Sequence, residues 1–183
     1  MNIYETVHEN EQLKVGTMST IDIRQMDAKD WEAVAEIYKE GIATGNATFQ
    51  QEVPSWSEWD NDHLKIGRLV AIIDQKVAGW AALTAVSGRC VYAGVAEVSV
   101  YVSAAHRGNK VGKQLLDQLI RSSEQHGLWT LQAGIFEENI PSIKIHEELG
   151  FRKVGVREKI GKMKNVWRNT LLFERRSKIA GQD

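Results

Sequence analysis

The residues that can do chemistry concentrate in one stretch, 96–116. Glu97 stands near the start of an otherwise apolar run in which Val98, Val100 and Val102 alternate with Glu97, Ser99 and Tyr101. That period of two belongs to a strand with two distinct faces. A carboxylate held partly out of water there has a raised pKa, which suits a general base; a surface or salt-bridged glutamate is the plainer reading. Next comes Arg107-Gly108-Asn109-Lys110-Val111-Gly112-Lys113, which brings positive charge and free backbone N–H groups to the start of a helix. About four N–H groups there lack intrahelical partners, and the helix dipole adds roughly half a positive charge, so the loop can hold phosphate. The alternative is a basic loop that only caps a surface helix. A third titratable group, His146, falls on a later helix. Imidazole ionises near neutral pH and can act as donor, relay or second base, although a helix-face histidine is more often structural.

Two phosphate-binding patterns fail on this loop. A P-loop needs G-x-x-x-x-G-K-[ST], but Arg107 stands at its first glycine and Gln114 follows the lysine. The dinucleotide fingerprint G-x-G-x-x-G is not present between Gly108 and Gly112. Ahead of the strand, Arg89 and Tyr92 can bind an acceptor's oxyanion, since a guanidinium fork matches planar oxygens. They can equally be an exposed loop pair. Thr48 and Phe49 lie in a loop-like stretch, where Phe49 either tucks into the core or lines a substrate pocket. Tyr101 can offer a hydroxyl, but packing on the strand's other face is the plainer use. Cys90, the only cysteine, excludes an internal disulfide and a multi-cysteine zinc site, and no histidine or acid signature surrounds it. The five histidines have no metal-ligand spacing, so no metal is expected.

A chain of 183 residues, 43% of them hydrophobic and 26% charged, has the size and composition of one soluble globular domain. Its formal net charge of −1 provides no global field for nucleic acid or an anionic membrane, so neither partner is expected and the basic loop must act locally. No run reaches the length of a membrane-spanning helix and no apolar signal core opens the chain, which makes the cytoplasm the expected location. Residues 1–19 are polar and aperiodic and are expected to form a mobile extension; Met18 suggests that 1–17 stem from an upstream start codon. A single domain is expected over 20–177, with a tail over 178–183.

The elements that must position these residues follow from periodicity and caps. Ile21 and Ile23 begin a strand. Asp27 and Asp30 have capping-box spacing ahead of a helix with Trp31, Val34, Ala35, Tyr38 and Ile42 on its apolar face. Ser55-x-x-Glu58 opens a second helix, expected to continue through Trp59, His63 and Ile66. Leu69–Ile73 and Lys76–Leu83 flank the turn Asp74-Gln75 as an antiparallel hairpin. After the central strand, Val111, Leu115 and Leu119 form a helix stripe closed by Gly127. Trp129, Leu131, Ala133 and Ile135 alternate as a strand, and Asn139 caps a short helix ending at Gly150. Residues 151–157 and 166–174 are the last strands, with 158–165 expected as their loop. The order is that of an α/β layered domain with a mixed sheet, not a doubly wound nucleotide-binding fold.

This order resembles the GNAT superfamily of N-acetyltransferases over residues 21–175. Arg107 and Gly112 match the first and last fixed positions of that family's R/Q-x-x-G-x-G/A pyrophosphate loop, while Lys110 replaces the middle glycine. Asn139, followed by a helix ending Leu149-Gly150-Phe151, resembles its second signature. Arg89-x-x-Tyr92, the strand from Glu97 to Val102, the run from Ile145 to Phe151, and Lys164-Asn165-Val166-Trp167 resemble the phosphinothricin N-acetyltransferase group.

The resemblance implies a mixed, mainly antiparallel sheet flanked by helices, with acetyl-CoA as co-substrate. It further implies transfer to the α-amine of a small amino acid such as phosphinothricin, methionine sulfoximine or methionine sulfone, and a homodimer. By the same resemblance, the backbone of Val100, Tyr101 and Val102 pairs with pantetheine. Arg107, Gly108, Asn109, Lys110, Val111, Gly112 and Lys113 hold pyrophosphate, and Asn139 contacts the pantetheine or lies beside the thiol; where Lys110 departs from the family's glycine, the close backbone approach is lost and the long basic side chain can instead reach a phosphate directly. Glu97 is the base and His146 the second catalytic group, where many relatives carry a tyrosine; Arg89, Tyr92, Phe49 and Thr48 bind the acceptor. Two alternatives stand beside this reading. One is acetylation of another amine, such as a protein N-terminus, a polyamine or an antibiotic; the other is a non-catalytic acyl-CoA-binding domain.

Overall fold

The computed structural model describes residues 20–182 and contains seven strands in one sheet with four helices. The strands are β1 (Asp22–Gln25), β2 (Leu69–Ile73), β3 (Lys76–Ala85), β4 (Val95–Val102), β5 (Thr130–Phe136), β6 (Arg152–Met163) and β7 (Val166–Arg176). The helices are α1 (Trp31–Ala43), α2 (Trp56–Asp62), α3 (Val111–Gln125) and α4 (Ile140–Glu148). The extension expected over 1–19 lies outside the described residues. The sheet runs β1-β2-β3-β4-β5-β7-β6, antiparallel throughout except for the parallel pair β4–β5. This is the mixed, mainly antiparallel α/β arrangement expected from the sequence.

Local chemistry explains where most elements start and stop. Both capping boxes form: Asp27 N donates to the Asp30 carboxylate at 2.8 Å, and Ser55 N donates to Glu58 at 2.8 Å. The β2–β3 turn places Asp74 and Gln75 at φ of 47° and 63°, the left-handed pair that a two-residue hairpin requires. Two expectations need correction. Helix α2 ends at Asp62, because His63 turns extended and its ring stacks on Trp59. Residues 158–165 are not a loop: β6 continues to Met163, and only Lys164-Asn165, at φ of 47° and 66°, turn the chain. This edge strand is almost wholly exposed, with register shifts between Lys153 and Gly155 and between Arg157 and Gly161, so it carries lysines and Gly161 where a central strand would carry apolar residues.

Two apolar layers sandwich the sheet. On one face, Leu115, Leu116 and Leu119 of α3 pack with Val98, Leu131 and Phe173 of the sheet. On the other, Val34 and Ile37 of α1 and Trp59 of α2 pack with Val70, Trp80 and Ala82 of the sheet. The residues after β7 fold back on the domain. Arg176 donates to the carbonyls of Trp129 and Ala180 at 3.0 and 2.8 Å, and Ala180 is buried.

Candidate active site

The site arises from a flaw in the sheet. Strand β4 pairs with β3 over seven residues, Ala96–Val102, but with β5 only over Val95–Glu97 against Thr130–Gln132. Beyond Glu97 the two parallel strands part, and the β5-facing backbone of β4 as far as Val102 has no ladder partner among the described residues. A cleft of about 1840 Å³ opens along this gap. It is lined by Glu97, Val100, Tyr101, Val102, Arg107, Gly108, Lys110, Val111, Gly112, Lys113, Asn139, His146, Thr48 and Phe49. Asn109 is exposed beside it and does not line it; its N–H donates to the His106 carbonyl at 3.4 Å.

The alternation along β4 divides the cleft into two sides. Val98, Val100 and Val102 face α3 and α4, where Gly112 brings the first turn of α3 against the strand. A Cβ on Gly112 would stand 3.3 Å from Val102 and 3.5 Å from Ile145. Lys110, just before α3, adopts φ of 63°, a left-handed conformation that costs an L residue about 1–2 kcal/mol and that glycine takes freely. No side chain caps the end of α3, so the N–H groups of its first turn stay available beside Arg107 and Lys110. An extended strand edge leading to an uncapped, basic helix end can take a long ligand that carries phosphate at one end. Lys113 is committed to Glu148 at 2.8 Å. Asn139 is committed too: its Oδ1 accepts from Ser142 N at 3.3 Å, and its Nδ2 donates to the Asn46 carbonyl at 3.1 Å.

Glu97, Ser99 and Tyr101 face the other way, toward α1 and the loop after it. The Glu97 carboxylate reaches the solvent of the cleft, yet surrounding protein strips enough water to raise its pKa, against the opposing charge of Arg157. Tyr101 stacks on Trp80 at 4.6 Å and meets Tyr38 edge-on at 4.9 Å. The hydroxyls of Tyr38 and Tyr101 are influenced by each other and by that of Thr48, and burial raises both phenol pKa values. Phe49 packs edge-on to Phe136 at 4.7 Å, so it both packs and lines the pocket.

His146 comes from α4, on the opposite side of the gap from Glu97, and is only 3% exposed. Its Nδ1 lies 2.8 Å from the Ser142 carbonyl, which can only accept, so Nδ1 carries the proton and Nε2 presents a lone pair. That Nε2 is buried without a hydrogen-bond partner, and burial lowers the imidazole pKa. Arg89 and Tyr92 are not brought to the cleft: both are exposed on the 87–94 loop, the guanidinium 5.7 Å from the Tyr92 ring. The sequence reading missed Thr170 and Gly134 on the cleft floor, and it took Tyr38 only for a core residue. A glycine interrupting the alternation of β5 was the one available signal for Gly134.

Residues 27–151 match the model of the acetyltransferase (GNAT) family, and the chain belongs to that family. It is 34% identical over 146 residues to YwnH of Bacillus subtilis (strain 168), covering 77% of this chain and 90% of that protein. It is 30% identical over 159 residues to the phosphinothricin N-acetyltransferase of Streptomyces viridochromogenes, covering 85% and 87%. Among solved structures, a GNAT superfamily phosphinothricin acetyltransferase from Sinorhizobium meliloti, in complex with acetyl-CoA, superposes with a TM-score of 0.81 at 27% identity, covering 90% of this chain and 92% of that one. The chain is therefore an acetyltransferase by family and by fold.

Proposed function

We propose that this protein transfers the acetyl group of acetyl-CoA directly to the α-amine of a small amino acid or analogue, such as phosphinothricin, methionine sulfoximine or methionine sulfone, with Glu97 as general base. The observation that carries the proposal is Glu97 itself. Its carboxylate has a raised pKa and lines the cleft at the point where β4 and β5 part. A non-catalytic acyl-CoA-binding domain has no use for such a group.

Acetyl-CoA would supply the acetyl group as a thioester: as the amine forms the new C–N bond the C–S bond breaks, and the CoA thiolate leaves as the thiol by taking up the second proton that the attacking nitrogen gives up. The protein must supply a neutral amine, because an α-ammonium has no lone pair to attack with, and Glu97 takes that proton directly or through water. Tyr101 and Tyr38 remain protonated and position the acceptor, while Thr48 and Phe49 wall its pocket. The first turn of α3, with Arg107 and Lys110, holds the pyrophosphate. His146 is the second catalytic group in this reading; with Nδ1–H fixed on Ser142, its Nε2 serves as relay or second base. Arg89 and Tyr92 lie outside their own chain's cleft, so as ligands of the acceptor's oxyanion they require the cleft of a partner subunit, and a homodimer belongs to the proposal.

Thiol release from acetyl-CoA tests the reading. Wild type is expected to turn over phosphinothricin, methionine sulfoximine and methionine sulfone, but not a polyamine or an N-terminal peptide. Glu97→Gln is expected to lose most of that rate. Turnover confined to the polyamine or the peptide would replace the amino-acid acceptor. Binding of acetyl-CoA with no turnover of any amine would favour the non-catalytic domain.

A further inference from the structure

Most cations around the acceptor side are already committed. Arg168 donates to the Gly45 carbonyl at 3.0 Å, Asn46 Oδ1 at 2.9 Å and Glu138 Oε2 at 3.0 Å, with its guanidinium 4.3 Å from the Phe136 ring. Arg157 is different. Among the described residues its side chain has no hydrogen-bond or ion-pair partner; it is exposed on β6, outside the residues that line the cleft, and its charge is felt at longer range by Glu97.

Register fixes where Arg157 points. On β6 it lies opposite Thr170 of β7, and Thr170 lies opposite Phe136 of β5. Directly paired residues share a face of the sheet, and Phe136 shares its face with Gly134 and Gln132 by the strand's period of two. Gln132 pairs with Glu97 in the short parallel ladder. Arg157 and Glu97 therefore rise from the same face, with the cleft-lining Thr170 and Gly134 between them. The row between them holds Gly155, Leu172 and Gly134. Gly134 is exposed, and a Cβ on Gly155 would meet nothing within 4 Å, so the two glycines leave room on either side of the leucine. Three strand spacings separate β4 from β6, about 14 Å, and the row of Arg157 lies four residues along β5 from that of Glu97, about 13 Å further; the long arginine and the glutamate, whose Oε1 stands 3.9 Å from the Cβ position of Gly134, narrow that diagonal from opposite ends.

We propose that Arg157 is the anion anchor of the acceptor pocket, its guanidinium taking the carboxylate of an α-amino acid whose amine lies at Glu97. This rests on the amino-acid reading above and leaves Arg89 and Tyr92 the side-chain oxyanion. The two ends of one small molecule are read by a base and a cation that rise from the same face of the sheet, across the row of Gly134, Leu172 and Gly155. An amine without a carboxylate engages only the base.

The test compares methionine sulfone with its decarboxylated analogue, methylsulfonylpropylamine, in wild type, Arg157→Leu and Arg157→Lys, at a pH where Glu97 is ionised in all three. Arg157→Leu is expected to raise KM for methionine sulfone roughly ten- to a hundredfold, the worth of a charge-assisted pair, with kcat little changed. For the decarboxylated amine, kcat/KM is expected to match wild type. Arg157→Lys falls between, because it keeps the charge and loses the fork. Equal losses on both acceptors, or none on either, would overturn the anchor. Calorimetric titration of both compounds into the enzyme with CoA separates this proposal from the functional one. If wild type binds methionine sulfone more tightly than the amine, and Arg157→Leu abolishes that preference, the anchor stands even if no acetyl transfer occurs. If wild type shows no preference, it falls.

Discussion

At the scale of single residues, the chemistry turns on Glu97, and its environment sets testable signs. Removing a general base costs roughly 10²–10⁴ in rate, so Glu97→Gln is expected to lower kcat/KM by that range in a steady-state thiol assay. Burial raises the Glu97 pKa, so the acid limb of kcat/KM lies above the ordinary carboxylate range; the charge of Arg157 works against that rise. Arg157→Leu is then expected to move the limb to higher pH. The phenols of Tyr38 and Tyr101, raised by burial, stay protonated throughout, and His63, lowered by burial, is held against Trp59. Stability follows the opposite course. A carboxyl whose folded pKa is raised stabilises the fold below its unfolded pKa and loses that contribution as pH rises through the folded value. Glu97→Gln is therefore expected to raise Tm at neutral pH, with the gain vanishing in acid; an unchanged Tm at both pH values would mean that the carboxylate is not desolvated. Glu97 and the Arg107–Gly112 loop were legible because each chemistry is local in sequence. Arg157 was not, since it reaches the base only through the pairing of strands far apart in the chain.

Elements show where packing outweighs propensity. Gly41 lies inside α1, where alanine gains up to about 1 kcal/mol of helix propensity. A Cβ there, however, would stand 2.6 Å from the Tyr101 ring, which is clamped between Tyr38 and Trp80. Overpacking a rigid ring costs about 1–3 kcal/mol, so packing wins. Gly41→Ala is expected to destabilise the protein in chemical denaturation and to raise the acceptor KM more than the acetyl-CoA KM. At the start of α3 the balance reverses. Lys110→Gly relieves a left-handed lysine and is expected to stabilise the fold by about 1 kcal/mol, while weakening acetyl-CoA binding roughly two- to fivefold, the worth of a screened ion pair. If calorimetry showed tighter acetyl-CoA binding, the lysine would not be reaching a phosphate. Caps and turns with local signatures, such as Ser55-x-x-Glu58, were readable from the chain. The length of β6 was not, because an exposed edge strand carries the lysines and glycine of a loop.

The whole molecule consists of two half-sheets meeting at a weak seam. β1 to β4 form one half and β5, β7 and β6 the other, and β4–β5 joins them by three residue pairs where the adjoining ladders have seven. Helices α3 and α4 cross-brace the seam on one face only. No local pattern in the sequence announces this gap, because β4 and β5 read as ordinary alternating strands and only their divergence opens the site. An extended ligand lying along β4 would supply the backbone partners that β5 does not, and so stiffen the junction as well as fill it. At a hundredfold excess over Kd, binding adds about 2.7 kcal/mol to stability, or roughly 5–10 °C in Tm for a domain of this size. Hydrogen exchange locates the effect. Acetyl-CoA is expected to slow exchange at the gap-facing amides of β4 beyond Glu97, as well as in the first turn of α3. Protection in both places would put the pantetheine along the strand and the pyrophosphate at the helix. Protection at α3 alone, with β4 unchanged, would mean that the parted strands are not the binding edge and that Glu97 does not face the thioester.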